Sequence, residues 1–233
     1  MAAPIAQAWS GALRDGGPAE LTVSVSSDEA SSADLISDDL GVVLHHLSQL
    51  VTQVAIEARA GQLMMFHAAG LAHPVSGATV ALVAPSGTGK TTISRSLGTA
   101  LAYISDETVG FDASLSVLPY RKPLSVIQSG EAVKSQHSPG ELGLLDSPST
   151  PTLAAVVFLE RDSTCAGLEV SDVRTVAALP LLAEQTSYLS RHARPLGLLA
   201  DALEATGGLR LARYREAEDL QPWLTELVGA SCE

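Results

Sequence analysis

The sequence predicts an α/β fold in which a mixed sheet is flanked by helices. Three observations predict it: a long segment with helical periodicity, several short apolar runs typical of buried strands, and a glycine-rich segment that joins one such run to a helix. The chain has 233 residues, of which 46% are hydrophobic and 17% are charged. Because globular domains carry about 25% charged residues, this composition favours a large core and excludes disorder of the whole chain.

The N-terminal part of the chain is expected to form an arm outside the main domain. Residues 1–19 contain a Gly-Gly-Pro break, and residues 21–25 alternate like a short strand. Residues 26–34 are polar and avoid helix, which is typical of a linker. We therefore assign residues 1–36 to the arm and residues 37–233 to a single α/β domain.

The domain is expected to begin with a long helix between Ser37 and Gly61. Ser37, Asp38 and Asp39 are residue types that cap helix N-termini, and Gly61 is a typical C-terminal stop. Between them, apolar residues recur at steps of three and four, which gives the helix one apolar face. These residues are Leu40, Val43, Leu47, Leu50, Val54 and Ala58.

The middle of the chain is expected to contain strands, turns and a short helix. Residues 66–72 and 79–84 are short apolar runs joined by a turn with Pro and Gly, a pattern that predicts a β-hairpin. Residues 92–97 are expected to continue as a short helix and residues 101–105 as a buried strand. Residues 153–159 form the next clear strand.

The C-terminal part is expected to form a helix, a strand and a second helix. The helices are predicted over about 180–206 and about 218–229, with a strand over about 208–214 between them. Pro222 falls in the first turn of the last helix, where its missing N–H leaves no hydrogen bond unmade.

The net charge excludes two classes of partner. The chain has 14 Lys and Arg against 26 Asp and Glu, which gives a net charge of −12. Proteins that bind nucleic acid gain much of their affinity from clustered Lys and Arg, and anionic membrane surfaces repel an acidic protein. We therefore expect neither nucleic acid nor a membrane as a partner, and a homo-oligomer stays open.

The cysteines and the apolar runs predict a cytoplasmic location. Cys165 and Cys232 are too few for a disulfide framework or a zinc site, and free thiols fit a reducing compartment. No apolar run approaches the roughly 18 residues of a membrane span. Residues 1–8 lack the basic and long apolar regions of a signal peptide.

Residues 84–91, with the sequence APSGTGKT, match the phosphate-binding loop pattern G-x-x-x-x-G-K-[ST], except that Ala84 replaces the first glycine. The glycines of such a loop let backbone amides turn toward an anion, and the following helix adds its positive N-terminal end. The lysine reaches the β- and γ-phosphates, and the Ser or Thr hydroxyl can ligate Mg²⁺. Because a strand precedes this phosphate loop and a helix follows it, the segment predicts nucleotide binding. The expected contacts are Ser86, Gly87, Thr88, Gly89, Lys90, Thr91 and Thr92.

Two groups of acidic residues compete for the role of holding Mg²⁺. Asp106 and Glu107 follow a strand sixteen positions beyond Lys90 (106 − 90), where a carboxylate can hold the ion or accept a proton from an attacking hydroxyl. Glu160, with Asp162 behind it, ends another apolar strand, as does the second acidic motif of phosphate-loop ATPases. Each group also fits an ordinary acidic turn at a strand end.

An ordered set of features runs through residues 66–112. A strand carries a His followed by small residues, and a hairpin, the phosphate loop and an acidic pair with a nearby valine come after it. A lone histidine in an apolar strand is by itself more typical of a core residue. The whole set, however, resembles the core of the HPr kinase/phosphorylase family, which shares its nucleotide-binding core with phosphoenolpyruvate carboxykinase. The positions that match are, in order, His67, Lys90, Thr91, Asp106, Glu107 and Val109.

This resemblance implies a kinase that transfers the γ-phosphate of ATP to a serine hydroxyl on a protein, with Mg²⁺ as cofactor. It implies Asp106 as the base that acts on the acceptor hydroxyl, and it favours Asp106 over Glu160 as the metal ligand. Glu107 would assist Mg²⁺ or substrate, Thr91 would ligate the ion, and His67 would line the site close to the phosphates and join Lys90 and Asp106 in catalysis.

The chain departs from the family pattern in three respects. Glu107 stands where the family has a second Asp, and a separate N-terminal domain is not evident in residues 1–60. The glycine-rich signature loop that engages HPr has no match in residues 128–144. HPr as substrate and a dephosphorylating activity are therefore not expected, and the acceptor is expected to be another protein or a small ribosomal peptide.

Two further functions stay open. One is a regulatory module that binds a nucleotide without transferring phosphate, and the other, less favoured, is a small-molecule kinase. A kinase that acts on a protein, a peptide or a small molecule needs cations besides Lys90 to stabilise the charge of the transition state. The candidates are Arg121, Lys122, Lys134, Arg191 and Arg194.

Overall fold

The computed structural model of the chain describes residues 1–14, 19–126 and 135–230. Within these ranges, no helix combines the length and the apolar character that a membrane span requires. The contacts divide the chain into two compact units. The first unit comprises residues 1–58 and 121–142, and the second unit comprises residues 59–120 and 143–233.

Short strands and helices alternate along the chain. The helices are α1 (Ala2–Ala8), α2 (Leu40–Ala58), α3 (Lys90–Leu97), α4 (Thr175–Glu184), α5 (Pro195–Ala205) and α6 (Gln221–Gly229), with 3₁₀ turns at Leu189–Arg191 and Ala217–Leu220. The strands are β1 (Val25–Ser26), β2 (Leu35–Ile36), β3 (Met64–Ala72), β4 (Ala78–Val83), β5 (Ala102–Ser105), β6 (Thr108–Phe111), β7 (Val117–Leu118), β8 (Leu124–Val126), β9 (Ser135–His137), β10 (Thr152–Arg161), β11 (Leu168–Val173), β12 (Thr186–Ser187) and β13 (Leu209–Tyr214).

The second unit is built on a mixed sheet with the strand order β11-β13-β10-β4-β3-β6-β7. Strands β4, β10 and β13 are parallel to one another, and the other neighbours in this order pair antiparallel. Strands β5 and β12 also pair with β3, outside this order. The parallel strands end at the same edge of the sheet, and residues 84–91, the predicted phosphate loop, follow β4 at that edge.

Helices cover both faces of this sheet. On one face, α3 and α6 contribute Ile93 and Leu224 to a core cluster with the strands. On the other face, α4 and α5 contribute Leu182 and Leu199 to a second cluster. Each of these side chains is at most 1% exposed, and burial of one such side chain stabilises the fold by roughly 1.5–3 kcal/mol. The predicted mixed α/β architecture with flanking helices is confirmed.

Most predicted elements of the second unit are confirmed. Strands β3 and β4 form the predicted antiparallel hairpin, in which Ala68 pairs with Val83. The predicted short helix, the strand before the acidic pair and the strands near residues 153 and 208 are α3, β5, β10 and β13. Pro222 lies at the start of α6, as predicted.

The predicted helix over 180–206 is wrong, because the structure has two helices there with β12 and a 3₁₀ turn between them. Helix α4 begins earlier, at Thr175, and ends at Glu184. Helix α5 begins at Pro195, whose ring disfavours the helical conformation for the preceding residue and suits the first helical position. Arg194 accordingly has φ −133° and ψ 66°.

The N-terminal segment also differs from the prediction. Residues 2–8, expected to belong to an arm, form α1, and Ala8 and Trp9 are buried. The strand expected over residues 21–25 is reduced to β1, which pairs in parallel with β2. Helix α2 is confirmed as the long helix and lies in the first unit. The domain boundary between residues 36 and 37 stays a prediction.

Candidate functional site

The phosphate loop has the backbone conformation that its glycines allow. Gly87 has φ +85° and Gly89 has φ +99°, both in the left-handed region that favours glycine. A Cβ atom at Gly87 would meet nothing within 4 Å, so this glycine is required for the backbone angle and not for space. Alternating left- and right-handed residues turn successive N–H groups toward a common point, which suits an anion.

Ala84 occupies the first position of the loop, where the pattern has a glycine. Among the described residues, the non-glycine residues with positive φ are Leu115 and Tyr188, so Ala84 is not in the left-handed region. Its Cβ is fully buried in the core cluster beneath α3. A methyl group at this position therefore fills core space and introduces no backbone strain.

Helix α3 begins directly after the loop. Its N-cap is Gly89, which has no side chain to satisfy the first N–H groups, and its first turn contains no acidic residue. The exposed N–H groups and the helix dipole together favour an anion at this end. Thr92 is exposed in this first turn.

Lys90 folds back over the loop. Its ammonium donates hydrogen bonds to the carbonyl oxygens of Ala84, at 2.6 Å, and Pro85, at 2.9 Å. Burial lowers the pKa of Lys90 to about 8, and the negative charges of Glu107 and Asp106 partly oppose this shift. An ammonium has three N–H donors, so two carbonyl partners leave one for a phosphate oxygen.

Thr91 and Asp106 are in direct contact. The Thr91 hydroxyl donates to Oδ2 of Asp106 at 2.8 Å, and the Tyr103 hydroxyl donates to Oδ1 at 3.1 Å. Asp106 is 5% exposed and Tyr103 is fully buried, so the carboxylate is fixed by partners on two elements, α3 and β5. The pairing of a loop threonine with an aspartate is the oxygen-ligand arrangement that holds Mg²⁺ in phosphate-loop proteins.

The acidic pair occupies an interruption along one edge of β3. Strand β5 pairs with the second half of β3 and β6 with its first half, and Asp106 and Glu107 join the two strands. The Ser105 hydroxyl accepts hydrogen bonds from the backbone N–H groups of Glu107, at 3.3 Å, and Thr108, at 3.1 Å. The Glu107 carbonyl accepts from the N–H of Ala68 at 3.1 Å, which anchors the turn to β3. Glu107 is half-buried.

His67 lies on β3 beside the loop. Its Nε2 is 3.3 Å from the hydroxyl of Ser86, and its backbone carbonyl accepts the N–H of Ala84 at 3.5 Å. Burial lowers the pKa of His67, and the positive charge of Lys90 lowers it further. The structure therefore brings the predicted histidine, loop, threonine and acidic pair together.

Sequence reasoning missed the two tyrosines of the site. Tyr214, at the end of β13, donates a hydrogen bond of 2.9 Å from its hydroxyl to the carbonyl of Thr88. Within the loop, the Thr88 hydroxyl donates to the carbonyl of Pro85 at 2.9 Å. For Tyr103 the sequence predicts only a place in a buried strand. A tyrosine in an apolar strand carries no sequence signal that separates a core role from a role at a site.

Glu160 and Asp162, the competing acids, lie in a different environment. Oε2 of Glu160 is 3.5 Å from Nη2 of Arg213, and both side chains are substantially exposed. Asp162 caps its own turn, where Oδ1 accepts from the backbone N–H and hydroxyl of Thr164. Side chains alternate along β10, so Glu160 lies on the face of Phe158, which packs with α4 and α5 and not with α3.

The candidate cations lie in separate parts of the chain. Arg121 and Lys122 are buried and belong to the first unit. Arg194 pairs with Asp201 at 2.8 Å, and Arg191 is exposed. Lys134 lies outside the described residues, as does Cys232.

The donor set near the loop suits Mg²⁺ better than a transition metal. In the described part of the chain, no group of three or more His, Cys, Asp or Glu residues forms a metal cluster. Mg²⁺ is usually bound through one or two carboxylates together with water and substrate phosphates. The hydroxyl of Thr91 and the carboxylate of Asp106 supply hard oxygen ligands of this kind.

Comparisons with known proteins give no family. No family model and no curated protein matches the chain. Among solved structures, the Hpr(Ser) kinase/phosphatase from Coxiella burnetii is similar with a TM-score of 0.37 and 9% identity, over 72% of this chain and 95% of that chain. A similarity of this size assigns neither family nor function.

Proposed function

We propose that the second unit binds ATP with Mg²⁺ at the phosphate loop and transfers the γ-phosphate to a serine hydroxyl of a protein or small peptide. The observation that carries this proposal is the 2.8 Å hydrogen bond between Thr91 and Asp106. It joins the first turn of the helix after a glycine loop to a carboxylate at a strand end. Mg²⁺ in a phosphate-loop kinase requires this pair of oxygen ligands.

The loop amides, the start of α3 and Lys90 would bind the phosphates of ATP. The left-handed conformations of Gly87 and Gly89 support this role, because they let the intervening amides face an anion. The ammonium of Lys90 lies among the loop carbonyls and would exchange part of that contact for a β- or γ-phosphate oxygen. Ser86, Thr88 and Thr92 would complete the contacts.

Thr91, Asp106 and Glu107 are the residues that would hold Mg²⁺. The ion would supply positive charge to the β- and γ-phosphates, which lowers the cost of charge on the leaving group. Tyr103 holds the other carboxylate oxygen of Asp106 and thereby fixes the direction in which that group presents its remaining lone pairs.

Asp106 would also accept the proton of the acceptor hydroxyl. In this step the serine oxygen bonds to the γ-phosphorus, the bond between that phosphorus and the bridging oxygen breaks, and ADP leaves. The serine proton moves to the carboxylate of Asp106. A base in this position contributes typically 10²- to 10⁴-fold to the rate.

The charge of the chain bears on the acceptor. With a net charge of −12, the chain repels an acidic peptide and attracts one that is neutral or basic around its serine. We therefore propose an acceptor of the second kind. Efficient phosphorylation of a strongly acidic peptide would contradict this choice and leave the kinase proposal intact.

A regulatory module that binds a nucleotide without phosphotransfer is the second candidate. One observation favours it: both carboxylate oxygens of Asp106 already accept hydroxyl hydrogen bonds, from Thr91 and Tyr103, which leaves fewer lone pairs free to accept a proton from a substrate. A small-molecule kinase is less favoured, because an antiparallel hairpin leads into the phosphate loop.

The experiment combines nucleotide binding with a search for product. The purified full chain is titrated with Mg-ATP by calorimetry and incubated with Mg-ATP and peptides encoded by neighbouring genes, which are then examined by mass spectrometry. We expect binding and a mass gain of one phosphate on a serine, both lost in Lys90→Ala. Binding without a phosphorylated peptide would favour the regulatory module, and absence of binding would contradict both candidates.

A further inference from the structure

The phosphate loop contains a hydroxyl that is itself positioned as an acceptor. The Ser86 hydroxyl lies 3.3 Å from Nε2 of His67, and Ser86 is exposed. The other hydroxyl of the loop tip, that of Thr88, donates to the carbonyl of Pro85 and does not contact a base. A serine hydroxyl that is hydrogen-bonded to a histidine has the arrangement that activates a hydroxyl as a nucleophile.

The second contact of His67 assigns the direction of this hydrogen bond. The imidazole also forms a hydrogen bond with the backbone of Glu107. This hydrogen bond raises the pKa of His67, and a hydrogen bond does so when the ring N–H donates it. A neutral imidazole has one N–H, so when one nitrogen donates to a carbonyl the other accepts. Nε2 is thus assigned as the acceptor, and the Ser86 hydroxyl as the donor.

Three charged groups lie around His67. Lys90 faces the ring from α3, and Glu107 and Asp106 face it from the turn between β5 and β6. The same Lys90 is the group proposed to bind the γ-phosphate, which places the phosphate, the hydroxyl and the base in one cluster.

We propose that Ser86 is a phosphorylation site that the chain modifies itself, with His67 as the base. This inference rests on the proposed ATP-dependent phosphotransfer. The Ser86 oxygen bonds to the γ-phosphorus of bound ATP, the bond from that phosphorus to the bridging oxygen breaks, and ADP leaves. The hydroxyl proton moves to Nε2 of His67 and is later lost to water.

The modification would limit the activity of the site. A phosphoserine carries a charge of about −1.5 to −2 at neutral pH and three strong acceptor oxygens. At position 86 it would lie beside the amides of Gly87 and Thr88, where the phosphates of ATP would bind. The modified loop therefore competes with its own nucleotide, and its affinity for Mg-ATP falls.

The experiment follows phosphate on the full chain with no added acceptor. The purified protein is incubated with Mg-ATP, and intact and peptide masses are measured over time at several protein concentrations. We expect one phosphate per chain, mapped to Ser86, at a rate independent of protein concentration. Ser86→Ala abolishes the gain, His67→Gln slows it at least tenfold, and Ser96→Ala, a serine control on α3 outside the loop, retains it.

Calorimetry separates failure of this inference from failure of the proposed function. If Mg-ATP binds and a peptide acceptor is phosphorylated while Ser86 stays unmodified, the inference is wrong and the kinase proposal stands. Phosphate on another residue, or an unchanged rate in His67→Gln, would also overturn it. If Mg-ATP does not bind at all, both proposals are wrong.

Discussion

The hydroxyl of Tyr214 holds the carbonyl of Thr88 at 2.9 Å, and so fixes the phosphate loop from a strand that is not adjacent to it. Strand β13 is separated from β4 by β10, yet the tyrosine at its end reaches the loop tip. Tyr214 is 1% exposed, and burial raises its pKa, so the hydroxyl stays protonated and donates. The conformation of the loop therefore depends on the sheet as well as on its own glycines.

Tyr214→Phe tests this dependence. The variant keeps the ring and removes the hydroxyl, so the Thr88 carbonyl loses one partner, at a cost of about 0.5–1.5 kcal/mol. We expect the dissociation constant of Mg-ATP to rise about 2- to 10-fold, as measured by calorimetry. Tyr188→Phe, at an exposed position, is the matched control and should bind as the wild type does. Equal affinity in both variants would show that the loop does not depend on this bond.

The parts of the site that lie close together in the sequence could be predicted from it, and the distant parts could not. Lys90 and Thr91 belong to one contiguous pattern. Asp106 directly follows the next apolar strand, and an acidic residue at a strand end is visible in the sequence. Tyr214 reaches the loop from more than 100 positions away, and only the strand order shows that it does.

The same limit applies to the fold. The hairpin and the helix after it have short-range periodicity that dictates them, so they were predicted. The region 180–206 has apolar residues on both sides of a mostly polar segment, residues 184–194, and its periodicity does not show that Pro195 begins a new helix or that β12 pairs with β3. The pairing of β12 with β3 is a long-range contact, which local periodicity cannot predict.

Asp106→Asn and Glu160→Gln decide which acid serves the reaction. The first change keeps the size of the side chain and removes the charge that would hold Mg²⁺ and accept the proton. We expect transfer to a peptide serine to fall at least 100-fold, measured by mass spectrometry, with nucleotide binding partly retained. Glu160→Gln removes only an exposed pair with Arg213 and should leave the rate unchanged. The reverse pattern would assign the role to Glu160.

Gly70→Ala tests the close packing behind the acidic pair. A Cβ at Gly70 would lie 2.8 Å from Cγ2 of Val109 and 3.0 Å from Cβ of Ile104, on the two strands that Asp106 connects. Such overpacking costs roughly 1–3 kcal/mol, so we expect a lower free energy of unfolding in denaturant titrations and slower phosphotransfer.

Two further variants make this test specific. In Gly110→Ala the nearest atom would lie at 3.4 Å, an ordinary contact, so this control should lose little stability. Adding Val109→Ala to Gly70→Ala removes the shorter contact, and the pair should lose less stability than the sum of the two single changes. Strict additivity would mean that Val109 does not restrict Gly70.

The affinity for Mg-ATP should fall as pH rises through the pKa of Lys90. Burial lowers that pKa from 10.5 to about 8, so the ammonium is charged below about 8 and neutral above it. A bound phosphate favours the charged form, so binding above this pH takes up a proton. We expect the logarithm of the dissociation constant to be flat below the pKa and to rise with a slope approaching one above it, in calorimetric titrations.

Lys90→Arg identifies the group responsible, because a guanidinium stays charged throughout this range. Its affinity is expected to be lower at neutral pH, and the rise above pH of about 8 should disappear. The protein without nucleotide allows an independent test. Between pH of about 8 and 10.5 the unfolded state binds more protons at Lys90 than the folded state does. This group therefore makes the free energy of unfolding increase with pH. A pH slope that persists in Lys90→Arg would assign the titration to another group.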